Sequence, residues 1–415
     1  MHTPIAAALA ATPEARAAED ILRACVHCGF CLATCPTYQL TGNELDSPRG
    51  RIYLMKAMFE GEDPGERTRY HLDRCLTCRS CESTCPSGVR YGRLVDAGRS
   101  LLERRFPRSP GERLRLGLVR NSLAHRSLFA AALAAGRALK PLLPSALAAG
   151  VPEARPAGGW PPVRHARRML VLEGCVQPAL DPGINAAAAR VLDRIGISLV
   201  RVPGGGCCGA LPHHTGDHDG ALAAMRANIA AWSPALRQGA EAVVMTASGC
   251  GAEVREYAYH LRDDAAYAER AAGVSERTRD LSEVLAEHAD TIAALIPPAR
   301  RPQGAAARIA YHPPCSLQHG QQVRGKAEAV LTACGYELQP FAEGHLCCGS
   351  AGSYSILQKE MSTALKVRKL GHLLGTQPAV IASANVGCQV HLQSGTAVPV
   401  RHWIVLVDAL LNGKD

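Results

Sequence analysis

Two cysteine runs with one shared spacing constrain this chain more than any other feature of its sequence. They occupy residues 25–36 and 75–86, and both read C-x2-C-x2-C-x3-C-P, so each cysteine of the first run has a counterpart 50 residues later. We call these runs the first and the second motif. The spacing is that of bacterial proteins that hold two 4Fe–4S clusters. The pair therefore predicts an electron-transfer protein, because such clusters accept and donate electrons.

The proline that closes each motif predicts how the eight cysteines divide between two clusters. Proline disfavours the helical conformation at the residue before it, here Cys35 and Cys85. An extended cysteine can aim its sulfur away from its own loop, and in the bacterial pattern this fourth cysteine ligates the other cluster. We therefore predict crossed ligand sets: Cys25, Cys28, Cys31 and Cys85 for cluster 1, and Cys75, Cys78, Cys81 and Cys35 for cluster 2.

Zinc sites and disulfides explain the two motifs less well than clusters do. Zinc sites usually take cysteines as separated C-x2-C pairs, and a triple run that ends in C-P departs from that pattern. Cysteines this close in sequence cannot all form disulfides of acceptable geometry. With 17 cysteines in 415 residues, the chain fits metal binding in a reducing compartment better than a secreted disulfide framework.

The second half of the chain carries a duplicated set of four cysteines. Three of them recur 140 residues later and the fourth 138 later; the sets are Cys175, Cys207, Cys208 and Cys250, and Cys315, Cys347, Cys348 and Cys388. Strand patterns precede them at 169–172, 198–202 and 242–246, and at 309–311, 337–341 and 379–383. Strands that alternate with helices predict a parallel sheet in each half. Because functional residues gather at the carboxyl ends of parallel strands, we expect each set of four to converge.

The use of these duplicated cysteines stays open at this point. Adjacent Cys-Cys-Gly does not easily form a relaxed disulfide, and flanking glycines let the backbone approach a bound group. A metal, a cluster or a redox-active thiol site is one interpretation, and buried apolar thiols are the other. Four nearby histidines are interpreted as ordinary loop residues rather than as ligands or proton carriers; they are His213, His214, His218 and His345.

We predict a mixed fold with four segments. An α-helical ferredoxin-type domain with two 4Fe–4S clusters occupies residues 1–105, with helices over 51–60 and 89–104. A helical, proline-rich connector follows at 106–165, with a helix over 127–140. Two duplicated α/β Cys-Cys-Gly lobes complete the chain, the first lobe at 166–300 and the second lobe at 305–415. The first lobe is longer after its last cysteine, which predicts an inserted helix around 257–272.

Composition argues against several other classes of function. No stretch approaches the ~20 apolar residues that a membrane-spanning helix needs. A net charge of +9 with only 4% aromatic residues does not indicate a nucleic-acid partner. No glycine-rich nucleotide fingerprint follows a strand, so we expect neither flavin nor NAD on this chain.

The two motifs together with the Cys-Cys-Gly lobes resemble a family of electron-transfer subunits. That family includes subunits of heterodisulfide reductase and of anaerobic glycerol-3-phosphate dehydrogenase. Within it, the segments at 25–40, 46–54 and 71–91 are most similar to the glycolate oxidase (glycolate dehydrogenase) iron–sulfur subunits. The resemblance covers nearly the whole chain.

The resemblance implies the electron-transfer subunit of a glycolate dehydrogenase complex, with D-lactate as a further 2-hydroxy acid. Two flavin-containing partner subunits would oxidise the substrate. This chain, with no catalytic residue of its own, would pass electrons through its two 4Fe–4S clusters toward a quinone in the membrane. It would be cytoplasmic and peripherally attached to the inner face of the cytoplasmic membrane. The alternative is the iron–sulfur subunit of an anaerobic glycerol-3-phosphate dehydrogenase or of a heterodisulfide-reductase-like complex.

One departure from the wider family pattern concerns the end of each lobe. The pattern closes a lobe with C-x-x-C, whereas here Glu253 and His391 stand where a fifth cysteine would. This absence argues against the unusual cluster of heterodisulfide-reductase-like relatives, and against a thiol–disulfide reductase activity of the lobes.

Overall fold

We call residues 4–105 the N-terminal helical region; in it, the loops of both motifs lie between helices. The computed structural model describes residues 4–142, 144, 148 and 150–413; positions 1–3, 143, 145–147, 149 and 414–415 of the predicted segments lie outside them. The helices predicted over 51–60 and 89–104 are present with bounds shifted by one to three residues. The helices of this region are Pro13–Ala24, Pro36–Thr41, Pro48–Phe59, Glu66–Asp73, Ser80–Thr84 and Tyr91–Arg105.

A buried carboxylate, Asp46, joins the segment after the first motif to the helix before the second. Its Oδ1 accepts hydrogen bonds from Arg51 at 3.4 Å and lies 2.9 Å from His71 Nδ1, while its Oδ2 accepts from Arg74 at 2.7 Å. Its backbone carbonyl accepts from the Thr37 hydroxyl at 2.6 Å. Buried charges that are paired and hydrogen-bonded in this way resist rearrangement, because loss of one partner leaves an uncompensated charge.

Two helices, Pro110–Ala124 and Arg126–Leu139, follow the N-terminal helical region, and no residue of either is buried. We call them the helical hairpin. The second corresponds to the helix predicted over 127–140. The first was not predicted, although Ser109 and Glu112 form a capping box and Pro110 stands at the first helical position.

Each lobe contains a parallel sheet, as predicted, and each sheet has four strands. The strand orders are β2-β1-β3-β4 in the first lobe and β6-β5-β7-β8 in the second, so the duplication extends to the topology. The strands are β1 Arg167–Val171, β2 Ile197–Arg201, β3 Val243–Met245, β4 Thr278–Asp280, β5 Arg308–His312, β6 Glu337–Leu338, β7 Val380–Ser383 and β8 Val400–His402. All six predicted strands are present, but β6 is shorter than expected. β4 and β8 were not predicted, because Thr278–Asp280 has no apolar residue and Val400–His402 has only one, so no apolar run marks either strand.

Helices cover both faces of the two sheets. In the first lobe they are Gln177–Leu180, Gly183–Arg194, Ala210–His214, His218–Arg237, Ser248–Val254, Tyr257–His260, Ala268–Glu276, Leu281–Ala286 and Ala289–Leu295. In the second lobe they are Lys326–Ala333, Tyr354–Leu357, Lys359–Leu374, Val386–Gln393 and Trp403–Asn412, with a π-helical turn at Ser316–Gly320. The single helix predicted over 257–272 is therefore two short helices with a break between them.

The two lobes share one hydrophobic core, which fixes their relative position. Buried side chains of both lobes, among them Met169, Leu285 and Trp403, belong to the same cluster. Polar contacts reinforce this packing: Ser248 Oγ lies 2.8 Å from Ser316 Oγ, and Ser248 N–H donates to the carbonyl of Ala384 at 3.2 Å. The carboxyl ends of both sheets consequently have a fixed geometry with respect to each other. Among the described residues, no helix combines the length and the apolarity that crossing a bilayer requires.

Candidate iron–sulfur centres

The loops of the two motifs have the same backbone geometry. In the first motif His27 and Gly29 have positive φ angles of 54° and 85°, and their counterparts Thr77 and Arg79 in the second have 52° and 59°. Non-glycine residues rarely adopt this conformation, so its recurrence at Thr77 and Arg79 indicates that the loop itself imposes it. In the second loop the Thr77 N–H donates to Cys75 Sγ at 3.4 Å, which turns a backbone amide toward the sulfur.

The fourth cysteine of each motif is extended, as the following proline predicts. Cys35 has φ −86° and ψ 115°, and Cys85 has φ −73° and ψ 116°. Both cysteines immediately precede or follow a short helix, so the extended residue sits at the edge of its loop. Each sulfur can therefore lie outside the loop formed by the first three cysteines.

A cavity beside the first motif is lined by the three leading cysteines of that motif and by Cys85 of the second. The cysteines that line it are Cys25, Cys28, Cys31, Cys81 and Cys85. Burial raises the pKa of the Cys25 thiol, and the nearby Cys85 raises it further; burial likewise raises the pKa of Cys31 to about 11. A coordinated metal ion deprotonates a thiol outright, so these raised pKa values are compatible with cysteines that bind a metal group as thiolates. The donor set of this cavity thus suits an iron–sulfur cluster.

The cysteines of the second motif are more deeply placed. Burial raises the pKa of Cys78 and of Cys81 well above the usual value, and both thiols lie close enough to Cys35 and Cys75 for their charges to raise it further. The Tyr91 hydroxyl donates to Cys75 Sγ at 3.7 Å. The sulfur of Cys35 therefore belongs, in space, with the leading cysteines of the second motif.

A buried cation accompanies this second group of sulfurs. Burial alone would lower the pKa of Arg51, but the nearby Cys75, Tyr91 and Cys35 raise it above the usual value. Arg51 donates to the Thr37 hydroxyl at 3.0 Å and to the carbonyl of His71 at 2.7 Å. A guanidinium held near Cys75 and Cys35 compensates part of the negative charge of a cluster, so this group also suits a 4Fe–4S cluster.

The two groups of sulfurs differ in their distance from solvent. Cys28 is exposed, and its neighbours Val26 and Phe30 are exposed as well. Cys81 is buried and Cys78 is half-buried. The first group therefore lies at the surface and the second in the interior.

The four cysteines of the first lobe converge, as their positions after β1, β2 and β3 predict. Cys207 accepts hydrogen bonds from the thiols of Cys175 and Cys208, which lower its pKa, and Cys208 also interacts with Cys250. The N–H of Gly209 donates to Cys207 Sγ at 3.5 Å. Cys207 also lines an open cavity whose other side is formed by the helical hairpin, including Arg120 and Arg126.

The second lobe repeats this arrangement in a more buried setting. Cys315 Sγ lies 3.7 Å from Cys347 Sγ, and Cys348 interacts with Cys347 and Cys388. The N–H of Gly349 donates to Cys347 Sγ at 3.4 Å, as in the first lobe. Both sets of four duplicated cysteines thus form a compact group of sulfurs.

A buried histidine adds a nitrogen donor beside the sulfurs of the second lobe. His312 is fully buried, neither of its ring nitrogens has a hydrogen-bond partner, and one of them lies within 4.8 Å of the sulfurs of Cys348 and Cys388. Burial lowers its pKa well below the usual value, so the ring is neutral and able to ligate. The corresponding position in the first lobe is Leu172. His312 was not predicted as a site residue, although its place at the end of β5 was a signal.

The second motif lies against the cysteines of the second lobe. Besides burial, the nearby charge of Cys315 raises the pKa of Cys78, and Cys78 in turn faces Cys347. Leu76 and Cys347 belong to one buried cluster. Two hydrogen bonds hold this junction: Tyr354 Oη donates to the carbonyl of Arg74 at 3.0 Å, and His319 Nδ1 lies 2.9 Å from Ser83 Oγ.

Comparison with known proteins agrees with these centres. The family described as the 4Fe-4S dicluster domain matches residues 21–89, and the family described as the cysteine-rich domain matches residues 169–255 and 309–393. The chain is 46% identical over 413 residues to the glycolate oxidase iron-sulfur subunit of Escherichia coli (strain K12). The matched region covers 99% of this chain and 100% of that protein. This chain belongs to the family of glycolate oxidase iron–sulfur subunits.

More distant relatives cover most of the chain as well. A Bacillus subtilis (strain 168) protein named "Probable glycolate oxidase iron-sulfur subunit" is 32% identical, over 91% of this chain and 89% of its own length. A fumarate reductase (CoM/CoB) subunit of Methanothermobacter marburgensis is 24% identical, over 90% of this chain and 68% of its own length. The family assignment confirms the resemblance inferred from the motifs. It also confirms that the chain combines an iron–sulfur dicluster domain with duplicated cysteine-rich domains.

Proposed function

We propose that this chain is the electron-transfer subunit of a glycolate-oxidising complex and that it carries two 4Fe–4S clusters with crossed ligands. Cluster 1 is held by Cys25, Cys28, Cys31 and Cys85, and cluster 2 by Cys75, Cys78, Cys81 and Cys35. The observation that carries the proposal is the cavity of the first motif, whose lining includes Cys81 and Cys85 of the second motif but not Cys35 of the first. The proximity of Cys35 to Cys78 and Cys81 supports the reciprocal assignment.

The position of the two centres supports a direction for the relay. Cluster 1 lies at the surface beside the exposed side chains of Val26 and Phe30, which suits contact with a partner protein. Two flavin-containing subunits of the complex are the partners that deliver electrons there. When bound, the clusters supply one-electron transfer, and this chain's residues hold them close to each other. Cys75, Cys78, Cys81 and Cys35 would hold the second cluster in the interior, where it would receive electrons bound for a quinone acceptor.

Glycolate is expected to reduce the clusters only when the flavin subunits are present. The measurement is the loss of visible cluster absorbance in the anaerobic complex after glycolate, D-lactate or glycerol 3-phosphate is added. Glycolate should bleach the complex and leave the isolated chain unchanged, because the substrate chemistry lies in the partners. In the complex with Cys78→Ala, flavin reduction should persist while electron delivery to a quinone falls to background, whereas the control Cys334→Ala should behave as the parent.

Two results would contradict this function. One is bleaching of the complex by glycerol 3-phosphate but not by glycolate, which would favour the alternative dehydrogenase. The other is bleaching of the isolated chain by glycolate, which would mean that it carries its own substrate site.

We also propose that the second lobe holds a metal group that extends the relay. Two of its four sulfurs, those of Cys315 and Cys347, lie beside Cys78 of cluster 2, and the unpartnered, buried His312 adds a neutral nitrogen donor. A buried imidazole without a hydrogen bond is costly unless something satisfies it, and a metal ion would do so. The first lobe has Leu172 at that position and is not assigned such a group.

Replacement of His312 by leucine, the residue that the first lobe has at this position, tests the metal group. The purified chain should contain iron in excess of the about eight atoms of two 4Fe–4S clusters. His312→Leu should lose that excess and keep the rest, because leucine fills the buried site without a donor atom. Cys334→Ala, which alters a buried thiol in the shared core, should change nothing. An iron content that never exceeds eight, or that is equal in His312→Leu, would contradict the proposal.

The helical hairpin is proposed as the surface that docks on the inner face of the cytoplasmic membrane. Neither helix buries a residue, and Leu114 and Leu118, one turn apart, are 65% and 64% exposed. Between residues 106 and 142 only Glu112 is acidic, while seven residues are basic: Arg108, Arg113, Arg115, Arg120, Arg126, Arg137 and Lys140. Exposed leucines among arginines are typical of helices that lie on anionic lipid surfaces.

Co-sedimentation with vesicles tests this docking surface. The chain should bind vesicles that contain anionic lipid, bind less at high salt, and bind weakly to purely zwitterionic vesicles. Leu114→Asp with Leu118→Asp should weaken binding by at least about tenfold, since each buried leucine contributes about 1.5–3 kcal/mol. Val367→Asp is the matched control, because Val367 is 64% exposed on a helix of the second lobe. Equal binding of the double variant and the parent, or no binding by the parent, would contradict it.

A further inference from the structure

A cluster of imidazoles and carboxylates lies where the N-terminal helical region meets the first lobe. Asp96 belongs to the helix Tyr91–Arg105, His213 and His214 end the helix Ala210–His214, Glu253 lies in Ser248–Val254, and His260 ends Tyr257–His260. We call these five residues the junction cluster. Two groups of possible metal ligands occur within it, and both include His213. No cysteine of the motifs or lobes is among them.

The geometry of three of these side chains suits a metal ion. His213 Nδ1 lies 2.9 Å from Glu253 Oε1, His260 Nε2 lies 4.0 Å from the same oxygen, and the three donor atoms are all within 4.8 Å of one another. Two ligands at about 2.1 Å from a tetrahedral zinc ion are about 3.4 Å apart, between the two measured separations. The side chains are 3%, 6% and 10% exposed in the order His213, Glu253, His260.

Asp96 occupies the position from which it would orient the first histidine. Its Oδ2 lies 3.8 Å from His213 Nε2, the nitrogen that faces away from Glu253, and its Oδ1 lies 3.3 Å from His214 Nδ1. A histidine that binds metal through one nitrogen commonly directs the other N–H to a carboxylate, which fixes the tautomer and the ring orientation. The junction cluster therefore has both ligands and an outer carboxylate.

We propose that His213, Glu253 and His260 bind a Zn²⁺ ion, with Asp96 as the outer carboxylate and the fourth coordination position open to water. Two imidazoles and one carboxylate are a common set of protein ligands for zinc. Glu253 stands where the wider family pattern has a fifth cysteine, so a site of nitrogen and oxygen donors replaces a sulfur ligand there. The ion joins helices that follow β2 and β3 to the helix Tyr91–Arg105 through Asp96.

A metal-free alternative uses the same residues. An imidazolium at His213 could pair with both Asp96 and Glu253 without an ion. That arrangement accounts for the 2.9 Å contact, but it leaves His260 with only an edge-on ring contact to His213, because His260 Nε2 is 4.0 Å from Glu253 Oε1. The metal site accounts for all three side chains, and metal analysis separates the two.

The decisive measurement is made on the full chain, purified anaerobically with its clusters. Zinc and iron are counted per chain after dialysis, and the zinc is examined by X-ray absorption. About one zinc per chain is expected, with nitrogen and oxygen ligands and no sulfur ligand. His260→Gln should lose the zinc at unchanged iron content, and Asp96→Asn should weaken zinc binding by about 10–100-fold against a competing chelator. His218→Gln is the control, because His218 is exposed nearby and outside the cluster.

Three results would overturn the proposal. The first is a parent chain that holds no zinc and takes up none when Zn²⁺ is added. The second is zinc with sulfur ligands, which would place the ion at cysteines, and the third is a His260→Gln variant that retains its zinc. Since the ligand type is measured on the parent chain, the conclusion stands even where a variant fails to fold.

Discussion

The buried carboxylate of Asp46 is the constraint on which the arrangement of the two motifs depends. Two of its partners, His71 and Arg74, lie just before the second motif, and the third, Arg51, lies in the helix Pro48–Phe59 after the first motif. The first motif therefore cannot shift against the second without breaking a buried ion pair. The carbonyl of Asp46 also lies 3.6 Å from Cys35 Sγ. The same residue therefore holds the fourth sulfur of the first motif and the helix that leads into the second. Breaking such a buried pair typically costs about 3–5 kcal/mol.

The molecule is asymmetric although it is built on a symmetric repeat. The two lobes have the same sheet order, the same Cys-Cys-Gly turn and the same amide-to-sulfur contact. Among the described residues, the second lobe brings its cysteines against the second motif and has a buried histidine beside its sulfurs. The first lobe meets that motif through the ion pair of Arg79 with Glu256. The first lobe instead faces the helical hairpin through an open cavity and meets the N-terminal helical region at the junction cluster. One copy of the repeat packs its cysteines against the second motif, while the other faces the surface and the connector.

Much of this could be predicted from sequence because the informative residues are close in sequence. The motif spacing, the proline after each fourth cysteine and the recurrence of the lobe cysteines all act within one loop or one strand–helix unit. β4, β8 and the helix Pro110–Ala124 escaped prediction because the two strands lack an apolar run and the helix has no buried face. The roles of His213 and His312 depend on partners 40 and 36 residues or more away, such as Glu253 and Cys348, which no local pattern reveals.

The crossed ligation of the two clusters is the central claim, and pairs of cysteine variants test it most directly. If ligation is crossed, Cys28 and Cys85 serve one cluster, so the chain with both changed to alanine keeps the other cluster and gives the electron paramagnetic resonance signal of one isolated, reduced 4Fe–4S centre. Changing Cys28 and Cys35 together then removes both signals. The reverse outcome, one isolated signal when Cys28 and Cys35 are changed and none when Cys28 and Cys85 are changed, would contradict the account.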